Sequence, residues 1–341
     1  MRRISMKKFL SVLLAALMLM SLAMSANADE IVRVALVTDT GGIGDQSFND
    51  LAWAGLQRAK EELGIDVSFL ESVTESDYAA NMETLYDEGY TLIICNGWMM
   101  ADALAEAAAL HPDQMYAIID NASVAENVIG MNFATEQCSY LVGVAAGTMT
   151  QTNNVGLVIG MVSPLMNTFG YGYYAGVRDT NPDCEIQSYN ANSYGDVAGG
   201  KAAATSMFAN GADIVYQAAG GTGIGVIEAA KEQGKFAIGV DTDQNYLAPE
   251  AVLTSAMKAV DTAVFNLCKD AKEGTLVGGD HLFTLADGGV GIAPTDTLLS
   301  EEAKAAVEEA KAKILSGEIV VPGTTEAFEA IYGPDFYTLD D

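Results

Sequence analysis

The sequence predicts an α/β fold of two doubly wound lobes, each built on a mostly parallel sheet and joined by ordered crossovers. Three observations predict it. Short apolar runs of strand character alternate with longer helical patterns, the order that covers both faces of a parallel sheet with helices. The alternation runs through twice, as two similar sets. About 310 residues remain after an N-terminal targeting segment, more than one hydrophobic core usually spans.

The first set opens with strand 32–37, where Val32, Val34, Ala35, Leu36 and Val37 form a buried-strand run. The loop after it holds Asp39 and Asp45 as acceptors, turns at Gly41, Gly42 and Gly44, and ends with Phe48 beside Asn49. Helix 47–63 follows, then strands 66–70, 91–95, 115–119 and 128–131, with helices 76–88 and 100–110 between them. The second set begins with helix 136–150. Strands 155–159, 185–189, 214–217 and 236–240 alternate there with an aromatic helix at 169–180 and helices 197–210 and 223–233. Strand 252–256, helix 260–273 and a charged helix at 301–316 complete the chain. No Pro- or Ser-rich linker separates the halves, and no short repeat or low-complexity segment occurs.

Residues 1–28 read as a secretion signal. Arg2, Arg3, Lys7 and Lys8 precede an apolar run over 9–24, and Ala26-Asn27-Ala28 fits a small-x-small cleavage site. The run is short for a membrane span and is followed directly by Asp29 and Glu30. No cysteine lies at the site to take a lipid, so the expectation is a periplasmic or secreted protein. Removing the segment, which holds four bases and no acid, takes the net charge from −29 to −33. Such a charge repels phosphate backbones and anionic lipid, which argues against nucleic acid and membrane surfaces as partners. The four cysteines, Cys95, Cys138, Cys184 and Cys268, are widely spaced; Cys95 and Cys268 sit in core-like runs, and no obligatory disulfide is expected.

Catalytic signals are sparse. The two histidines are His111, before Pro112 at a helix end, and His281, in a Gly-rich loop. There is no H-x-x-x-H, no G-x-S-x-G and no P-loop lysine. GGTGIG at 220–225 has Val226 where a dinucleotide fingerprint needs its third glycine, so it reads first as a tight strand-to-helix turn. DTDQN at 241–245 lacks the glycine and glutamate of a calcium loop, so neither metal nor cofactor is expected. In an open α/β sheet a ligand binds beyond the carboxyl ends of the strands. Asp39, Asp120 and Asp241 fall there, as do Phe48, Trp98, Tyr194 and Tyr216. Each is singly explained by a cap, a turn or packing; as a set they suit a flat polar ring stacked between aromatics and bonded by carboxylates. Lys258 reads either as a solvated lysine or as a lone base close after a strand.

These residues lie in segments that mark a resemblance. VTDTGGIGDQSFND, AIIDN, YLVGVAAG, YYAGVRDTNP, GADIVYQAAGGTGIGVIEAAKEQGKFAIGVDTDQ, VLTSAMKAVDTAV and ILSGEIVVP span nearly the whole chain in order. With them the chain resembles the basic membrane protein family of ABC-transporter substrate-binding proteins, of the purine nucleoside receptor type. The resemblance implies a type I periplasmic-binding-protein fold, two doubly wound lobes joined by a hinge that close on a ligand. It implies an N-terminal lobe of 29–132 plus about 256–290 and a C-terminal lobe of 133–255 plus about 291–341. It implies that Phe48 and Tyr194 sandwich a purine, the family's usual residue at the second place being Phe. Asp39, Asn49 and Asp120 would face the base; Gly221, Asp241 and Lys258 would face the ribose. Around 161–169 the sequence is more aromatic than the family pattern, which leaves the preferred ligand open.

The reading that follows is a monomeric, non-catalytic receptor that captures a nucleoside and delivers it to a membrane permease. A free base, a sugar or a signalling molecule is an alternative ligand, and an exported nucleoside hydrolase using the aspartates is the alternative activity.

Overall fold

The computed structural model describes residues 31–334 of the 341-residue chain. The expected secretion signal at 1–28 lies outside the described residues. Two six-stranded sheets carry the fold. The first contains β1 (Arg33–Thr38), β2 (Asp66–Leu70), β3 (Leu92–Asn96), β4 (Met115–Ile119), β5 (Val128–Phe133) and β11 (Gly279–Phe283), in the order β11-β5-β4-β3-β1-β2. The second contains β6 (Asn154–Ile159), β7 (Glu185–Asn190), β8 (Ile214–Ala218), β9 (Phe236–Asp241), β10 (Val252–Lys258) and β12 (Val290–Ile292), in the order β12-β10-β9-β8-β6-β7. All pairings are parallel except β10 with β12. The expected two-lobed α/β architecture is therefore observed. The central strands read as unbroken apolar runs because helices cover both faces, and β3 and β8 are buried at every residue.

Each sheet has its own core. Val37, Met82, Ile93, Leu104 and Ile118 join α2 (Tyr78–Asp87) and α3 (Ala101–Leu110) to the first sheet. Val158, Met207, Val215, Val226 and Ile227 join α6 (Val197–Ala209) and α7 (Thr222–Gln233) to the second. Helices α4 (Thr135–Met149) and α5 (Pro164–Thr180) cross closely. A Cβ at Gly172 would lie 2.1 Å from the Glu136 carbonyl oxygen, and one at Gly176 2.2 Å from that of Tyr140, so small residues set this contact. Helix α1 (Phe48–Leu63) packs on α8 (Val260–Glu273), where a Cβ at Gly55 would meet the Asp261 carbonyl oxygen at 2.5 Å.

The chain passes between the sheets at three places: Phe133 to Thr135, Lys258 to Val260, and Phe283 to Val290. The passages bond to their neighbours, Ala134 N–H to the Phe283 carbonyl at 2.8 Å and Ala259 N–H to the Gly289 carbonyl at 2.9 Å. These short, hydrogen-bonded segments are the ordered crossovers that the missing linker implied.

Three details differ from the sequence expectation. The aromatic helix starts at Pro164, not 169; Ser163 accepts from Met166 N–H at 3.1 Å and Pro164 fills the first turn, a strong start signal. His281 lies on edge strand β11 rather than in a loop. Strands β11 and β12 and helix α10 (Thr325–Tyr332) are additional to the expected elements, being short or amid polar and glycine residues. Helix α9 is Glu301–Ser316, as expected. All four cysteines are buried and free. Among the described residues no helix is long and apolar enough to cross a membrane.

Candidate functional site

The carboxyl ends of the two sheets face one another across a cleft. Its cavity of about 50 Å³ is lined by Asp39, Asp45, Phe48, Asn49, Gly97, Trp98, Met99, Asp120, Met166, Phe169, Tyr194, Ala218, Gly220, Val240, Asp241 and Lys258. Seven of the eight residues expected at a ligand come together here. The eighth, Gly221, sits one place away, where a Cβ would lie 3.1 Å from the Tyr194 carbonyl oxygen; its neighbour Gly220 lines the cavity and takes the left-handed backbone, φ 55°, that turns β8 into α7.

On the first sheet the polar groups are tied to one another. Asp39 Oδ1 accepts from Gly41 N–H and from Asn49 Nδ2, both at 2.8 Å. Asp45 accepts from the backbone N–H groups of Ser47, Asn49 and Asp50 and from Asn49 Nδ2 at 3.1 Å. Asn96 Nδ2 donates to Asn49 Oδ1 at 2.9 Å. Both amide protons and one lone pair of Asn49 are thus taken, which leaves one acceptor position. Its main work in this geometry is to hold Asp39 and Asp45, a role the loop sequence alone did not reveal.

Asp120 follows β4 and Asp241 ends β9, the topologically matching strands of the two sheets. Both adopt left-handed backbone, φ 66° and 64°. Asp tolerates that region better than most residues, at a cost of about 1–2 kcal/mol. The turn aims each carboxylate at Lys258, the last residue of β10. Lys258 Nζ donates to Asp120 Oδ2 at 2.6 Å and lies 4.0 Å from Asp241 Oδ1. Lys258 is only 2 % exposed, so the solvated alternative is excluded. Its ammonium also faces rings of Phe48, Phe133 and Phe169, with centroids at 4.7, 5.1 and 5.8 Å. Aromatic faces replace part of the lost hydration. Ser47 Oγ donates to Asp241 Oδ2 at 2.5 Å, a second bond between the sheets. Asp120 Oδ1 is buried with no hydrogen-bond partner among the described residues.

Burial dominates the electrostatics. It pushes Asp39, Asp45 and Asp241 up to about 6; Asn49 opposes the shift at Asp39, and Lys258 opposes it at Asp241. Four carboxylates and one ammonium line the space, which repels anions and favours a neutral or cationic molecule rich in hydrogen-bond donors.

The structure separates the aromatic candidates. Phe48, Trp98 and Tyr194 line the cleft, whereas Tyr216 does not. Tyr216 is fully buried in β8, its hydroxyl 3.1 Å from Ser139 Oγ and its ring 5.1 Å from that of Tyr173. The even side of a parallel strand faces helices as the odd side does, so a strand aromatic packs inward. Within the 169–174 cluster Phe169 reaches the cleft, and Tyr171 and Tyr173 pack in the core. Met166, Phe169 and Gly97 are lining residues outside the expected set. Reading Ser163-Pro164 as the helix start would have placed Met166 and Phe169 in the first turns facing the strand ends.

A family model described as ABC transporter substrate-binding protein, PnrA-like, matches residues 31–325. The chain is 38% identical over 312 residues to the CD4+ T-cell-stimulating antigen of Listeria monocytogenes, covering 85% of this chain and 87% of that one. It is 36% identical over 314 residues to the ABC transporter nucleoside-binding protein BmpA of Lactococcus lactis, covering 85% and 89%. The crystal structure of an ABC transporter solute-binding protein from Aeropyrum pernix superposes with a TM-score of 0.81 at 30% identity, covering 88% of this chain and 96% of that one.

Proposed function

The chain belongs to the PnrA-like family of ABC transporter substrate-binding proteins, and from that premise we propose that it captures a purine nucleoside between its lobes and delivers it to a membrane permease. One observation carries the choice of ligand. The cleft combines aromatic walls with buried carboxylates, including the unpartnered Asp120 Oδ1, and so asks for a flat molecule that donates hydrogen bonds at more than one edge. A purine nucleoside offers ring N–H groups at one end and ribose hydroxyls at the other. A nucleoside-binding relative in Lactococcus lactis supports the same class.

In this reading Phe48 and Tyr194 stack on the base. Asp39, Asp120 and the remaining acceptor of Asn49 take its donors, while Asp241, Lys258 and the Gly220–Gly221 turn hold the ribose. The protein acts outside the cytoplasm as a monomer and performs no reaction on its ligand. The lobes move about the three crossovers, which bear the short links between otherwise separate cores.

Native mass spectrometry tests the ligand class. The protein is presented with equimolar inosine, guanosine, uridine and ribose. The expected result is a complex with a purine nucleoside and no release of free hypoxanthine from inosine. Retention of ribose or uridine instead would overturn the purine reading, and release of hypoxanthine would overturn the non-catalytic one.

A further inference from the structure

We propose that Trp98 is a positioning residue for the cleft: its indole N–H fixes the Tyr194 ring from the opposite sheet and sets the Tyr194 hydroxyl as a donor towards the ligand. The inference rests on the reading of Tyr194 as a wall of the nucleoside site.

Tyr194 stands in the loop after β7, on the second sheet, and its ring occupies a slot cleared of side chains. A Cβ at Gly160 would lie 2.2 Å from Tyr194 Cε1, and one at Gly220 3.7 Å from Cδ1. From the first sheet, a Cβ at Gly41 would lie 3.5 Å from Tyr194 Cβ. The base of the residue is anchored too, because its carbonyl accepts from Thr222 N–H at 3.1 Å. The slot leaves the tip of the ring to be fixed, and Trp98 does this. Trp98 follows β3 on the first sheet, thrown across the cleft by Gly97 at φ 136°. Its Nε1 lies 3.3 Å from the Tyr194 hydroxyl oxygen, at the long end of the hydrogen-bond range.

The direction of that bond matters. An indole N–H donates and cannot accept, so the Tyr194 hydroxyl accepts here. Its own proton is left over, since among the described residues the hydroxyl makes no other hydrogen bond. Burial pushes the Tyr194 hydroxyl well above the usual range, so it keeps that proton at any working pH. The free groups of Asp39, Asp120 and Asp241 are acceptors, and the other donor of the cleft, Lys258, is charged and already spends one N–H on Asp120. Tyr194 thereby supplies a neutral donor at the edge of its ring, which can meet an oxygen of the sugar that rises out of the plane of the stacked base. The same bond links the sheets, so its benefit is present only when they are together.

The test is a double-mutant cycle on inosine binding with Trp98→Phe and Tyr194→Phe, which keep aromatic bulk and remove the N–H or the hydroxyl. Each single change is expected to weaken binding about five- to ten-fold, and the double change no more than the worse single one, because the two groups act as a unit. A ligand-free readout stands beside it. The chain has two tryptophans, Trp53 and Trp98, so two indole N–H resonances report on them, and Tyr194→Phe should shift that of Trp98 alone. Multiplying losses, unchanged affinity in Trp98→Phe, or an indole resonance indifferent to Tyr194→Phe would overturn the proposal. If inosine does not bind the unaltered protein, the functional reading fails, while the resonance shift still decides whether the Trp98–Tyr194 bond exists.

Discussion

The two sheets share one strand order, differing only in the direction of the edge strand, yet their cleft edges are built to different ends. At β4 and β9 they agree: each presents an aspartate in left-handed backbone. At β1 and β6 they part, with Asp39 on one sheet in the place Gly160 takes on the other; at β3 and β8, Asn96 corresponds to Ala218; and at β5 and β10, Phe133 corresponds to Lys258. The first edge is a hydrogen-bonded scaffold in which Asn49 and Asn96 hold Asp39 and Asp45 in place. The second is stripped of side chains to seat Tyr194 and supplies the cation. One strand order repeated thus yields an edge of interlinked acceptors and an edge that seats the Tyr194 ring and carries the cation.

The strongest way to break this comparison is at the cation. Lys258→Met leaves Asp120 and Asp241 buried without their counter-charge. Removing one partner of a buried pair costs about 3–5 kcal/mol. Chemical denaturation should show a loss of that order, and Asp120→Asn added to Lys258→Met should restore part of it. An unchanged midpoint would mean that the two edges do not compensate each other.

Next in size is the glycine slot. Gly160→Ala places a methyl 2.2 Å from the Tyr194 ring and must displace it. Inosine affinity should fall at least ten-fold, with a stability loss of about 1–3 kcal/mol from overpacking. Full affinity would show that Tyr194 does not form the wall. On the other edge, Phe48→Ala removes a ring whose stack on a base is worth about 1–3 kcal/mol. Calorimetry should show about ten-fold weaker binding, and the Lys258 ammonium also loses its nearest ring face.

The smallest effect sharpens the electrostatic side. Asp39, Asp45 and Asp241 have their carboxyls raised from 3.8 to about 6 by burial. Folding therefore favours their protonated forms. The stability they contribute is complete below 3.8 and is lost as pH rises through about 6. The ligand-free protein should melt at a higher temperature at pH 5.5 than at pH 7.5, by a few degrees, and Asp39→Asn should flatten the difference. A lower melting temperature at pH 5.5 would mean that these carboxylates are solvated.

Much of this was legible in the sequence, for identifiable reasons. Apolar runs such as 92–95 and the helical patterns between them fixed the alternation, and strand ends placed Asp39, Asp120 and Asp241 at a crevice. Aromatics were harder. Tyr216 and Tyr194 look alike beside strands, but only contacts distant in sequence tell that one packs on Tyr173 and the other on Gly160. Asn49 was placed in the cleft, while its bonds to Asp45 and Asn96 depend on tertiary geometry that spacing does not encode. Lys258 left two readings open because nothing local shows that Asp120, far along the chain, waits opposite it.

The central claim is that both edges hold one molecule. Calorimetric titration of inosine into the unaltered protein, Asp39→Ala and Asp241→Ala tests it most directly. Losing a charged acceptor should weaken binding by about 1.5–3 kcal/mol in each variant, one from each edge. Binding that falls in one variant and is untouched in the other would place the ligand on a single sheet and contradict the account.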